Sequence, residues 1–343
     1  MAAKGLEEMR ERWQCVREGS PLPVMGRAGA EEEPVHEGPF VADAGALDPE
    51  HPTLAGPSLQ RRLVRVLDFA CAESEVLRAR AEGRWEDALR LRELLADSAD
   101  KTWLWALHPA QGACLDREEY APAVRLYLGA SLVDGAVPCA WCAGRGLIVG
   151  QGAHCLACGG AGEAEGHNRV RDALHGVAVV ADPTSCLEPA GLVTSRPGAR
   201  PADVLSSAAS PDCGCECLDV GITTPFSAGA GFDCVAAMRA AKLRRLGPAA
   251  LEEMRQLGLE YVPLAFSCYG RIEEGADARI ALMARRAARR RGLADGRLLE
   301  RRLRQRIGVE IWRRSVAVCR RCLGGGAADE DAAWEAVVGA AGA

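Results

Sequence analysis

The chain has 343 residues, a net charge of −5, 48% hydrophobic residues and only 5% aromatics, so any core must be built mainly from Leu, Val and Ala. No run approaches the ~18 apolar residues a membrane span needs, and the opening MAAKGLEEMRERW is charged, with no apolar signal-peptide core. Fifteen cysteines, an odd number that includes CxxC pairs, fit a reduced intracellular protein, nuclear or cytoplasmic and not secreted.

Residues 1–57 contain seven prolines and the acidic run Glu31–Glu33, which predicts a disordered N-terminal segment. From Ser58, a plausible N-cap, the spacing of Leu63, Val64, Val66, Leu67, Ala70 and Cys71 predicts a helix. Further helices near 84–95 and 120–132 complete a helical segment over 58–135. Residues 136–166 form a cysteine-rich knuckle. Residues 167–275 then read as an α/β core, with a helix over 168–180 and strand candidates at 185–193, 200–205, 215–223 and 261–268. Helices at 234–246 and 251–258 precede the last strand. Helices over 276–323 and a tail over 324–343 follow. The fold class is α+β.

The knuckle is the most specific signal. Cys139/Cys142 and Cys155/Cys158 are two CxxC pairs, with His154 beside the second. Each pair can chelate from one turn, so the spacing predicts a structural tetrahedral Zn²⁺ site. The fourth ligand is either His154 or Cys155. Cys155 would make an all-cysteine site, because CAWCAGRG and CLACGGAG both match CxxCxGxG, the knuckle of J-domain chaperone fingers. Cys213, Cys215 and Cys217 alternate along one strand and read as small apolar residues. Cys319 and Cys322 form a further CxxC without a partner pair.

Between 279 and 321 there are fifteen arginines against three acids, in an otherwise acidic chain. Such a bipolar distribution fits either a polyanion partner or an Arg-rich solvated helix face. Arg285, Arg286, Arg289, Arg290 and Arg291 are the candidate nucleic-acid contacts, with DNA preferred to RNA.

In order, GAHCLACGGAGEAEGHNRVRDAL, SRPGARPADVL, CLDVGITTP, a lysine-bearing helix and GLEYVPLAFSCYG resemble one set of motifs. They resemble the region after the reverse transcriptase in non-LTR-retrotransposon-type polyproteins, over roughly residues 100–323. That resemblance implies a zinc knuckle followed by a small restriction-endonuclease-like core of the PD-(D/E)XK kind. The matching catalytic residues are Asp203, Asp219 and Lys242, with Glu188 as a third carboxylate. The family match ranks His154 ahead of Cys155 as zinc ligand. His167, in GHNRVRD, reads as a helix-start residue contacting the core.

The chemistry explains these residue types. Phosphodiester hydrolysis uses Mg²⁺ to polarise phosphate and activate water, and hard Mg²⁺ takes carboxylate oxygens. Alternation puts Asp219 and residue 221 on one strand face. Residue 221 is Gly where the motif has Lys; the resemblance, which includes a lysine helix, implies that Lys242 substitutes from the next helix. The family's strand glutamate is replaced by Ser267. The function implied is a zinc- and nucleic-acid-binding protein whose metal-dependent DNA phosphodiesterase site is weak or inactive. The alternatives are a non-catalytic CxxCxGxG binding module and a decayed gene fragment.

Overall fold

The computed structural model describes residues 58–324, apart from 97, 107–113, 160–162, 213, 228 and 231–232. The segment expected to be disordered, 1–57, and the tail beyond 324 lie outside the described residues. Two compact units are present, one ending at Leu95 and the other beginning at Ala96. Helices α1 (Ser58–Ala81) and α2 (Trp85–Leu95) pack on each other in the first. No helix among the described residues is long and apolar enough to cross a membrane.

The second unit is mixed α+β. A 3₁₀ turn, Thr102–Trp105, precedes α3 (Arg117–Leu128). Helix α3 starts at a capping box in which Asp116 and Glu119 satisfy each other's backbone N–H. Strands β1 (Ala136–Pro138) and β2 (Leu147–Val149) form an antiparallel hairpin, and the short helix α4 (Ala153–Ala157) follows. Helix α5 (Glu163–Ala181) leads into the main sheet.

That sheet has four strands in the order β3 (Cys186–Leu187), β4 (Val204–Ser206), β5 (Cys215–Thr223) and β6 (Leu259–Ser267). The first two neighbouring pairs are antiparallel; β5 and β6 are parallel. A parallel pair needs a crossover, here α6 (Cys234–Leu246) and α7 (Pro248–Gln256). The chain order is therefore one helix, three strands, two helices and a fourth strand, ending in α8 (Glu274–Arg290) and α9 (Arg297–Cys322).

Alternation on β5 and β6 divides two cores. Leu218 and Val220, with Val262, Leu264 and Phe266, face α5, α8 and α9. Each such buried apolar side chain contributes about 1.5–3 kcal/mol. On the opposite face Cys217 packs with Ala250 and Met254 of α7, and Tyr261 lies against them. An aromatic group fixes α9, with Trp103 stacked on Trp312 at 4.5 Å and Tyr127 and Tyr269 edge-on.

Two strand expectations were too long. The segment 185–193 contributes only Cys186–Leu187, because Glu188 takes a left-handed φ of 45° and breaks the extended run. The strand expected at 200–205 begins only at Val204, so Asp203 stands at its mouth. Helix α3 ends at Leu128 rather than 132, where Gly129 adopts a left-handed cap.

Candidate functional site

The knuckle brings Cys139, Cys142, His154 and Cys158 together, with one ligand atom of each lying within 4.8 Å of all the others. The β1–β2 hairpin delivers the first two. The Cys139 N–H donates to the Gly146 carbonyl at 2.9 Å, and the Gly144 N–H to the Cys139 carbonyl at 2.9 Å, which folds the CxxC into a tight turn. Helix α4 delivers His154, and its C-cap is Cys158. Gly146 is required by close approach: a Cβ there would sit 2.0 Å from His154 Cε1.

The separations suit a tetrahedral cation. Cys139 Sγ lies 3.9 Å from Cys158 Sγ, and Cys142 Sγ lies 3.6 Å from His154 Nε2. Edges about a zinc ion with ordinary bond lengths are about 3.8 Å between sulfurs and about 3.6 Å from sulfur to nitrogen. The three thiols and one imidazole can therefore hold a metal such as zinc. Cys155 stands outside this group. It is fully buried and turned toward Cys319 of α9, a contact that, with burial, pushes its thiol well up. Cys319 and Cys322 thus pack beneath the knuckle, and the Ala140 N–H donates to the Cys322 carbonyl at 2.8 Å.

A second constellation lies on the α6–α7 face of the main sheet. Asp203 pairs its backbone N–H with the Leu218 carbonyl at 2.8 Å, which sets it beside Asp219 across the β4–β5 ladder. One Asp203 oxygen accepts the Val220 N–H at 2.6 Å, and the other lies 3.0 Å from His167 Nε2, which stands in the second turn of α5 rather than at the helix start expected from the sequence, because the helix begins at Glu163. Asp219 accepts Lys242 Nζ at 2.5 Å on one oxygen and the Tyr261 hydroxyl on the other. The lysine reaches β5 because residue 221 is glycine. A Cβ at Gly221 would lie 2.5 Å from Lys242 Cε and 3.1 Å from Met238 Cγ. The lysine stem occupies the space that a side chain two residues beyond Asp219 would fill.

The electrostatics separate the two acids. Burial raises both carboxyls. For Asp203 the His167 bond, the Val220 N–H and the Lys242 charge outweigh it, leaving the group below its ordinary value. For Asp219 burial dominates over Lys242 and Tyr261, Asp203 repels, and the carboxyl stays raised. Two nearby acids pushed in opposite directions are a frequent feature of functional sites.

Other predicted residues lie apart. Glu188 donates its backbone N–H to the Asp203 carbonyl at 2.8 Å, but its carboxylate pairs with Arg171 and with Arg200 at 2.7 Å. Ser267 is buried and builds a turn, its hydroxyl accepting the Tyr269 and Arg271 N–H groups. Cys217 is buried, which pushes its thiol up to about 12, as for an apolar packing residue. Cys215 is only half-buried, and Cys213 lies outside the described residues.

The arginines divide by role. Arg286 donates to the Ser207 carbonyl at 2.7 Å and Arg290 to the Ala181 carbonyl at 3.3 Å, so both tie α8 to the sheet region. Arg285 lies 3.8 Å from Glu300. Arg279, Arg304 and Arg313 pair with Glu216, Asp277 and Glu119 respectively. Arg289 and Arg291, with Arg301, Arg302 and Arg306 of α9, are exposed, as are Arg285, Arg290 and Arg297.

Sequence reasoning missed His167 and Tyr261 as members of the acidic site. The signal for Tyr261 was available: it sits on β6 with the parity of the Asp219 face. For His167 there was none: it lies inside α5, one turn after the helix begins at Glu163. No family model, curated protein or solved structure matches this chain.

Proposed function

We propose that this chain is a zinc-stabilised, nucleic-acid-binding module with a nuclease-like core, acting as a slow metal-dependent phosphodiesterase on DNA. The observation that carries the reading is the convergence of Lys242 on Asp219 through the space above Gly221, with Asp203 alongside. The lysine absent from strand position 221 is supplied by α6. The order helix, three strands, crossover helices and fourth strand supports a core of the PD-(D/E)XK kind. It also agrees with the motif resemblance to the region that follows the reverse transcriptase of non-LTR retrotransposons. Zinc fits the soft Cys₃His set.

The hard oxygens of Asp203 and Asp219 fit Mg²⁺, which when bound supplies charge neutralisation at the phosphate and lowers the pKa of bound water. Lys242 holds Asp219 in place and adds positive charge where a phosphate would sit. Tyr261 holds the other Asp219 oxygen, and Val220 fixes Asp203. All four carboxylate oxygens therefore already have a protein partner, and a cation must share them, which favours weak binding and slow turnover. The exposed arginines of α8 and α9 supply charge for a phosphate backbone. An all-cysteine chaperone-type knuckle would need Cys155, which faces α9 instead.

The test is calorimetric titration of zinc-loaded protein with Mg²⁺ and Mn²⁺. The parent is expected to take up either ion, and Asp203→Ala and Asp219→Ala to weaken uptake at least tenfold while melting as cooperatively as the parent. Equal uptake by all three proteins would refute the assignment.

A further inference from the structure

The acidic pair lies in the middle of a row that crosses the whole main sheet. Glu188, just past β3, donates its backbone N–H to the Asp203 carbonyl at 2.8 Å. Asp203 stands beside Asp219 across the β4–β5 ladder, and Tyr261 of β6 reaches Asp219 with its hydroxyl. Neighbouring strands are about 4.8 Å apart, so the row runs for about 14 Å. Each end carries an arginine. At one end Arg200 donates to the Glu188 carboxylate at 2.7 Å. At the other, Arg245 follows Lys242 by one turn of α6, and its charge acts on the Tyr261 hydroxyl.

Both guanidinium groups are open to an incoming anion. Arg245 is exposed, and among the described residues no acid forms an ion pair with it. The Arg200 side chain is 62% exposed, and an ion pair so open to solvent is weak. If Arg200 turns to another anion, Glu188 keeps its second partner, Arg171, which is only 13% exposed, so no bare acid is left beside it. Helices α8 and α9 pack on the other face of the sheet, against Leu218 and Val220. Charge on those helices can draw in a polyanion, but it leaves the register at the acidic pair to residues on the α6–α7 side.

We propose that Arg200 and Arg245 form a two-point clamp that lays one nucleic-acid strand across the sheet, each gripping a phosphate next to the one held at Asp203 and Asp219. This inference rests on the phosphodiesterase reading. Arginine suits the task, because its planar fork of N–H donors matches two phosphate oxygens at once. The length of the row suits it as well, since successive phosphates of one strand can span the two ends with one phosphate left between them. Arg200 and Arg245 are positioning residues: they set which phosphodiester faces the carboxylates.

The experiment uses the zinc-loaded full chain, Mn²⁺ and a labelled synthetic duplex whose cut position is first mapped with the parent. Duplexes carrying an uncharged methylphosphonate one step to either side of the cut are then compared for the parent, Arg200→Ala, Arg245→Ala and Arg245→Lys. Each alanine variant should lower kcat/KM roughly 10- to 100-fold, the loss expected for a charge-assisted bond to phosphate, while Mn²⁺ uptake by calorimetry stays within about twofold of the parent. Arg245→Lys should keep part of the rate, because an ammonium still binds phosphate as a point charge. A neutral linkage on one side should slow the parent but not Arg245→Ala, and one on the other side should slow the parent but not Arg200→Ala. Equal slowing of the parent and both alanine variants by each neutral linkage would overturn the clamp. So would alanine variants that cut at the parental rate, a result that leaves the phosphodiesterase reading standing. If the parent cuts no better than Asp219→Ala, that reading itself fails, and the clamp falls with it.

Discussion

Gly221→Ala tests whether Lys242 stands in for a strand lysine. The new Cβ would lie 2.5 Å from Lys242 Cε, well inside the ~3.5–4.0 Å of an ordinary carbon contact. The lysine stem must swing away by about 1 Å or more, which breaks its 2.5 Å bond to Asp219. The two side chains are only 15% and 18% exposed. Removing one partner of a well-buried pair costs about 3–5 kcal/mol; with Tyr261 retained and some solvent contact, about 2–3 kcal/mol is expected. Lys242→Ala loses the same pair and should cost about the same. In the double variant the new methyl occupies space the lysine has left, so the cost should again be about 2–3 kcal/mol, not the sum of the two. The coupling is then about 2 kcal/mol, within the range for residues in contact. Urea denaturation of the four proteins measures it. Additivity within about 0.5 kcal/mol would show that Lys242 does not depend on the empty space at 221.

Three further outcomes follow from the same geometry. Zinc content by elemental analysis should fall from about one equivalent to near none in Cys158→Ala and His154→Ala, while Cys155→Ala keeps its metal; loss in Cys155→Ala alone would reverse the ligand assignment. Burial pushes the Asp182 carboxyl up, but bonds from Thr184 and Ser207 outweigh it and hold it at about 2. Because that lies below the unfolded value of about 3.9, its stabilisation is complete above the unfolded value and is lost as pH falls through the folded one. Asp182→Asn should therefore flatten the acid limb of the stability curve, and an unchanged limb would contradict the hydrogen-bond account. If five of the exposed arginines, 289, 291, 301, 302 and 306, meet phosphates, log K for duplex DNA should fall with log salt at a slope of about −4.5. A flat response, or an alanine set at these positions that binds like the parent, would exclude this surface.

Much of the acidic site is legible along β5. The alternation of Cys215, Cys217, Asp219 and Gly221 fixes one face, and it is the face toward α6 and α7. Lys242 is singled out only through the motif resemblance, which includes a lysine helix after this strand. The CxxC spacing alone does not choose between His154 and Cys155, though the motif resemblance ranks His154 first; the choice turns on Gly146 admitting the imidazole and on α9 receiving the Cys155 thiol. His167 is hidden for a similar reason. It lies 36 residues from Asp203, and only folding of α5 against the sheet joins them. The arginine count overstates the basic surface. Composition records the charges of Arg304 and Arg313 but not the acids from other elements that meet them, Asp277 and Glu119. The brevity of β3 depends on the left-handed Glu188, a conformation that no sequence pattern requires.

The most direct test of the central claim is nicking of supercoiled plasmid by zinc-loaded protein with Mg²⁺ or Mn²⁺, run beside Asp219→Ala and Asp203→Ala. The account predicts slow, cation-dependent nicking by the parent that both substitutions abolish, while duplex binding through the exposed arginines persists. Equal nicking by all three proteins, or none by a parent that binds the cation, would contradict it.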